Sequence, residues 1–325
     1  MHSVSASQIF SIKTEEEFNN LAIRVFKFQA SHCQVYADFI ACLSINPHQV
    51  NDVKKILYLP IDFFKSHRVI TDKKEPQLVF SSSGTVQSQH FVTDLTLYED
   101  SFRKAFHIFY GDITNYAVLA LLPSYSERKG SSLIYMVNNL IQTSGHPQSG
   151  YFLYNHKDLN ETLSALKKQR IPTILFGVTY ALLDLIEEYH INFPELIVME
   201  TGGMKGRRKE MIREELHTIL CEGFGTQSIH SEYGMTELLS QAYSKGAGIF
   251  DCPPWMNIHI RDVNDPLTLL GNGKTGGVNI IDLANLNSCS FIATQDLGRV
   301  HSPGRFEILG RFDNSDIRGC NLLVL

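Results

Sequence analysis

The chain, 325 residues long, is poor in the features that would settle its chemistry at once. Its longest apolar run, residues 116–123, is far too short to span a bilayer. The N-terminus shows no basic-then-apolar leader, so neither a membrane span nor a secretory signal is expected. The six cysteines (Cys33, Cys42, Cys221, Cys252, Cys289 and Cys320) form no Cys-x-x-Cys pair, and their scatter reads as reduced thiols in a cytoplasmic protein. Positive charge is scarce. The formal net charge is −5 and no Lys/Arg stripe is present, which argues against a nucleic-acid partner. The densest basic patch, Lys205-Gly206-Arg207-Arg208-Lys209, reads as the solvated opening of a helix. Gly-x-Ser-x-Gly, His-Glu-x-x-His and Gly-x-Gly-x-x-Gly are all missing, and the thirteen histidines show no metal-ligand spacing. Internal repeats and low-complexity tracts are also lacking.

What is there describes a soluble globular protein, 43% hydrophobic and 19% charged, long enough to bury a core. Residues 14–42 read as helix, with Thr14 as N-cap, Glu15, Glu16 and Glu17 at the positive end, and Phe18, Leu21, Ala22, Val25 and Phe26 at helical spacing. The apolar stretch from Leu59 to Phe64 is expected to pack rather than to wave in solvent. Strands at residues 78–80, 117–122, 150–154, 173–176, 196–199 and 228–232 alternate with helices at 97–110, 133–142, 159–169, 180–189 and 209–221. That alternation predicts an α/β fold with parallel sheets and helices on their faces. Past Gly246, short strands and Gly/Asn turns (257–261, 278–283, 291–294 and 306–309) predict an antiparallel, β-rich end.

Four segments carry candidate chemistry. Residues 81–89 follow a strand and hold five hydroxyl groups and one glycine; such a turn can cup an anion, and equally it can be only a turn. Thr201-Gly202-Gly203 ends a buried strand, where open α/β sheets place ligands, and two glycines let a flat ring approach. Tyr233-Gly234-Met235-Thr236-Glu237 joins a ring, a glycine, a hydroxyl and a carboxylate, the parts a nucleotide site needs. Asp296 lies between two strand-like stretches, where a carboxylate can accept both hydroxyls of a ribose or simply form a turn. His90 and His230 adjoin these segments and read as structural histidines.

In order along the chain, Ser82-Ser83-Gly84-Thr85, Tyr233-Gly234-Met235-Thr236-Glu237, Gln295-Asp296-Leu297 and Gly310-Arg311-Phe312-Asp313 resemble the motifs of the adenylate-forming superfamily, which includes acyl-CoA synthetases and firefly luciferase. More narrowly, residues 200–207 and 231–238 and Arg318-Gly319-Cys320-Asn321 look like the acyl-protein synthetases, the branch of the fatty-acid ligase of bacterial bioluminescence. The resemblance implies the large-domain fold of that superfamily, with ATP and Mg²⁺ as cofactors. Ser82, Ser83, Gly84 and Thr85 would embrace the β- and γ-phosphates, with Ser88 as a further donor. Gly202 and Gly203 would line the adenine pocket, and Tyr233, with Gly234 beside it, would stack on the base. Thr236 would contact the α-phosphate, Glu237 would hold Mg²⁺, and Asp296 would bind the ribose, helped by Arg311. Asp313 would mark a hinge, and Cys320 would accept the acyl group.

The pattern departs from the family twice. Thr85 is followed by Val86-Gln87-Ser88-Gln89, without the second glycine and the lysine of the phosphate loop. The chain also runs only twelve residues past Asp313, so the small mobile C-terminal domain is expected to be absent or truncated. The organisation expected is a helical N-terminal segment over 1–75, an adenylate-forming core over 76–310, and a hinge with a truncated C-terminal segment over 311–325. The activity expected is conversion of a carboxylic acid to acyl-AMP with release of pyrophosphate, then acyl transfer to a protein cysteine or a partner such as a reductase. Phe and Tyr between residues 98 and 154 suit an apolar tunnel and an ordinary core equally, so a fatty acid rests on the resemblance. The rivals are a ligase delivering to CoA or a carrier protein, and a catalytically silent nucleotide-binding partner of a multienzyme complex.

Overall fold

The computed structural model describes residues 4–71, 74–83, 86–124, 126–202 and 211–312. Thr14 caps the helix Glu15–His32 through a reciprocal capping box with Glu17. The helix does not run on to residue 42 as expected. Buried Cys33 takes an extended backbone, ends the first helix, and caps a second, Gln34–Cys42. The Leu59–Phe64 stretch packs as expected: Leu59–Pro60 pairs in parallel with Ile292 and Ala293, and Phe63–Ser66 is a short helix.

One sheet organises the molecule. On one side, Gly150–Tyr151, Ala117–Leu121, Thr173–Gly177, Ile197–Glu200 and His230–Tyr233 lie side by side, all parallel. Ala117–Leu121 and Thr173–Gly177 are buried at every residue, as parallel strands covered on both faces must be. From Ala242–Ser244 onward the pairing is antiparallel through Ile249–Asp251, Arg305–Arg311, Phe291–Ser302, Thr275–Asp282, Met256–Arg261 and Leu269–Leu270. Burial in Met256–Arg261 alternates residue by residue, the pattern of a strand with one covered face. The parallel region and the antiparallel, β-rich end that the sequence predicted are therefore halves of one sheet.

Three further elements differ from expectation. The strand at Leu78–Ser81 belongs to a separate hairpin with Gln89–Val92, so the serine segment is a hairpin loop, not a connection in the parallel sheet. The helix expected from 209 begins at Arg213; the basic patch 205–209 lies outside the described residues. Asp296 sits inside one continuous strand, Phe291–Ser302, not in a turn. What reads as a break there is Gly298, which marks a register shift against Gly310 and Ile308.

Gln29, fully buried in the first long helix, ties that helix to the far end of the chain. Its amide donates to the carbonyls of Asn285 and Leu286, both at 3.0 Å, and its oxygen accepts from the Ser290 N–H at 2.9 Å. Gln29→Ala strands these buried groups and is expected to lower stability by about 3 kcal/mol. Urea unfolding checks this; a loss below about 1 kcal/mol contradicts the assignment.

Candidate active site

The C-terminal ends of four adjacent parallel strands open into one cleft of about 1090 Å³. Ala117–Leu121 leads to Arg128, Ser131 and Ser132; Thr173–Gly177 leads to Thr179; Ile197–Glu200 ends in Glu200, Thr201 and Gly202; His230–Tyr233 runs into Gly234, Thr236 and Glu237. This is the edge where open α/β sheets bind ligands. The antiparallel half closes the other side with Asp296 and Arg311, and the hairpin loop adds Ser82, Ser83 and Ser88. Ten of the residues singled out from the sequence therefore share one wall-to-wall space. Gly84, Thr85, Gly203, Asp313 and Cys320 lie outside the described residues.

Tyr233, Asp296 and Arg311 form a chain. The Tyr233 hydroxyl donates to Asp296 Oδ2 at 2.7 Å, and Arg311 Nε donates to Oδ1 at 3.1 Å. Asp296 and Arg311 face each other across neighbouring strands, which aims the pair. Burial, then the carboxylate of Asp296, hold the Tyr233 phenol well above its usual range, so it remains a donor. Its ring packs edge-on against Phe306.

The segment after Tyr233 is held from behind. His90 Nδ1–H donates to the Thr236 carbonyl at 3.1 Å, and its Nε2 accepts from the Ser288 hydroxyl at 2.9 Å. Asn285 Nδ2 donates to the Glu237 carbonyl at 2.7 Å. Asp282 accepts from the Leu239 and Ser240 N–H groups, each at 2.9 Å, and from the Ser240 hydroxyl at 2.6 Å. These bonds turn the Glu237 carboxyl into the cleft with only 5% of its surface exposed. Burial raises its pKa, while the Ser88 hydroxyl and the charges of Arg311 and Lys65 work against that shift. A carboxylate beside the hydroxyls of Ser82, Ser83 and Ser88 could hold Mg²⁺, which binds through one or two carboxylates plus substrate phosphates. No cluster of three or more ligating side chains exists among the described residues, so phosphate oxygens and water would complete the shell.

The serine loop is braced at its base: Ser88 N–H donates to Ser82 Oγ at 2.9 Å, Ser82 N–H to the Ser88 carbonyl at 3.1 Å, and Ser81 N–H to the Gly130 carbonyl at 2.8 Å. Gly130 has φ of +86°, a backbone that favours glycine, and it brings the 122–131 loop against the serines. Two cations that the sequence reading passed over, Lys65 and Arg128, line the cleft with them. Arg128 was legible in principle, because its loop follows a strand recognised as buried and so stands at the ligand edge. Lys65 was not; only tertiary pairing of Leu59–Pro60 brings it there.

No family model matches the chain, and no curated protein matches it by sequence. Solved structures do. An open conformation of 2-hydroxyisobutyryl-CoA ligase, in complex with 2-HIB-AMP and CoA, aligns over 93% of this chain and 77% of its own, with a TM-score of 0.65 at 11% identity. The chain has the adenylate-forming ligase fold. ATP-bound MatB from Rhodopseudomonas palustris aligns over 72% of this chain and 47% of its own, with a TM-score of 0.54 at 17% identity. The luciferase-like enzyme of the nonluminescent Zophobas morio mealworm aligns over 75% and 59%, with a TM-score of 0.51 at 15% identity. The chain thus spans about three quarters of the first structure and about half of the second. Among the described residues no helix is long and apolar enough to cross a membrane.

His90 supplies a pH test of the scaffold. Burial lowers its pKa from 6.5 to about 4, so the folded protein keeps it neutral while the unfolded chain protonates it below 6.5. Its contribution is whole above pH 6.5 and is lost as pH falls towards about 4. His230 and His259, lowered to about 4 by burial as well, act in the same direction. Glu232 and Asp282, which burial raises to about 8 and about 6, act the opposite way. His90 is therefore read by difference: from pH 7 to 5 the slope of unfolding free energy in His90→Gln is expected to lack the acid loss that His90 gives the parent. An unchanged slope contradicts the neutral, buried His90.

Proposed function

We propose that the chain activates a carboxylic acid with ATP, forming acyl-AMP and pyrophosphate. The observation that carries this reading is the convergence of the serine loop, residues 233–237 and the Asp296–Arg311 pair on one cleft at the strand ends. Gly202 and the Tyr233 ring would border the adenine, and Asp296, fixed by Tyr233 and Arg311, would accept the ribose hydroxyls. Ser82, Ser83 and Ser88, with Gly84 and Thr85, would receive the β- and γ-phosphates. The lysine missing from that loop is compensated in this reading by Lys65 and Arg128. Thr236 would donate to the α-phosphate. Mg²⁺ bound through Glu237 would neutralise phosphate charge.

In the step itself the acid's carboxylate oxygen bonds to the α-phosphorus, and the bond from that phosphorus to the bridging oxygen breaks, releasing pyrophosphate. Such a displacement needs alignment and fixed donors more than covalent help from the protein. The backbone bonds behind Thr236 and Glu237 supply the alignment, since they hold both side chains without solvent rearrangement. In a second step the thiolate of Cys320 would attack the acyl carbon and AMP would leave, giving a thioester. A thiol with a pKa near about 8.5 is a usable nucleophile at neutral pH. This second step follows the acyl-protein synthetase resemblance, as does a fatty acid as substrate.

ATP–pyrophosphate exchange with Mg²⁺ tests the first step. Acid-dependent exchange is expected, falling at least about 100-fold in Glu237→Gln. Asp296→Asn is expected to weaken nucleotide binding about tenfold by removing a charged acceptor. Binding of ATP without exchange for any acid would favour the silent nucleotide-binding partner. Cys320→Ser is expected to abolish a hydroxylamine-labile acyl adduct while sparing exchange; an adduct that survives removes Cys320 as acceptor.

A further inference from the structure

The inner wall of the cleft is polar where an activated acid would lie. Glu200 has its partners: the Thr179 hydroxyl donates to Oε1 at 2.5 Å and the Gly202 N–H at 2.8 Å. Glu232, on the next strand, has none among the described residues. It opens onto the cleft, feels the charge of Glu200 and lies near Tyr98, yet no side-chain hydrogen bond reaches it among the described residues. Tyr98 cannot serve it by donation, because its hydroxyl donates to the Ser132 carbonyl at 2.8 Å. The Glu232 carboxyl folds over Gly234: a Cβ placed there would stand 2.3 Å from Oε1 and 3.3 Å from Gln241 Cγ. Gln241 lines the same space, is 4% exposed, and its amide oxygen has no partner among the described residues. Among the described residues the Gln241 amide oxygen is thus buried without a partner, and the half-exposed Glu232 carboxyl beside it opens onto the cleft with none. Buried polar groups without partners are costly, and in a ligand cleft their natural partner is the ligand.

A plain alkyl chain would leave both groups unpaired. Of the aromatic residues between 98 and 154, Tyr98 lines the cleft with its hydroxyl engaged by the Ser132 carbonyl, whereas Phe102 and Phe106 are sealed in the core at 0% and 1% exposure. We propose that the acid activated here carries a hydroxyl or amino group on its chain, read by the Glu232 carboxyl and the Gln241 amide oxygen. This rests on the adenylation reading above. Burial, and then Glu200, push the Glu232 pKa up to about 8, so at neutral pH the free site offers a neutral carboxyl that can both donate and accept. A hydroxyl uses both capacities. An ammonium group would instead draw the proton off Glu232 and form an ion pair. Sites built to hydrogen-bond a substrate group reject the analogue lacking it by large factors.

The test uses matched acids, butyrate, 3-hydroxybutyrate and 4-aminobutyrate, and their eight-carbon counterparts. Calorimetry in the presence of α,β-methylene-ATP reads their binding without turnover, and ATP–pyrophosphate exchange reads kcat/KM. A substituted acid is expected to exceed its alkyl analogue by about tenfold or more in affinity. Glu232→Leu is expected to collapse that ratio through the acid's Kd, and Gln241→Leu gives a second reading should Glu232→Leu fail to fold. Glu232→Gln separates the two classes, keeping a hydroxy acid and losing an amino acid. Equal or better binding of the alkyl acids overturns the proposal, as does a ratio untouched in a folded Glu232→Leu protein. Selective binding without any exchange would support this reading of the wall while failing the adenylation reading.

Discussion

The buried carboxylate of Asp282 and the amide of Asn285 are the constraint on which the cleft depends. Both sit at 0% exposure at the end of the strand Thr275–Asp282. Between them they take up Leu239 N–H, Ser240 N–H, the Ser240 hydroxyl and the Glu237 carbonyl. Residues 236–240 carry no regular secondary structure, so without these partners their backbone groups would be buried and unpaired. The knot therefore does in the antiparallel half what a ladder does elsewhere, and it sets where Thr236 and Glu237 stand. It extends to the Trp255 indole, which donates to Ser101 and Ser240, and so reaches the helix Leu95–Tyr110.

The cleft joins two electrostatic environments. Near the serine loop stand hydroxyls and two cations, Arg128 and Lys65, the latter also paired with Asp62 at 2.6 Å. Along the inner wall the carboxyls of Glu200 and Glu232 border the same cleft, and burial pushes the second towards its neutral form. A single strand separates the two because successive side chains of a strand point to opposite faces. Tyr233 thus engages Asp296 on one side while Glu232 addresses the other. The proposed division of labour between nucleotide and acid is written in that alternation.

Much of this was legible in the sequence, and for physical reasons. Thr14 and Glu17 announce their capping box three residues apart, and the parallel strands announce themselves as short apolar runs between amphipathic helices. The segment 233–237 is readable because its chemistry is local. Asp296 was found although its surroundings were misread, since Gly298 breaks the apolar pattern without breaking the strand. What stayed hidden depends on contacts between distant residues. The Gln89–Val92 strand is too short and polar to stand out, and pairs only by closing back on Leu78–Ser81. Gln29 and Asn285 look like ordinary polar residues until the fold brings them together. Glu232 gave no signal because nothing local shows that a carboxyl in a strand will open onto a cleft.

The bonds from Gln29 to residues 285–290, and the pairing of Leu59–Pro60 with Ile292 and Ala293, bear on how the protein is made. Gln29 and Ser290 are separated by 261 positions. At roughly 5–20 residues per second, synthesis leaves the first helices waiting about 13–50 s for the strand that covers them. Throughout that interval Phe18, Val25 and Phe26 have no complete core to enter, and the edge of Leu59–Pro60 stays open. Until that strand is made, the newborn chain carries an apolar helix face with its partner still missing. Truncations that remove the residues beyond 285 would leave a polypeptide unable to hide its beginning.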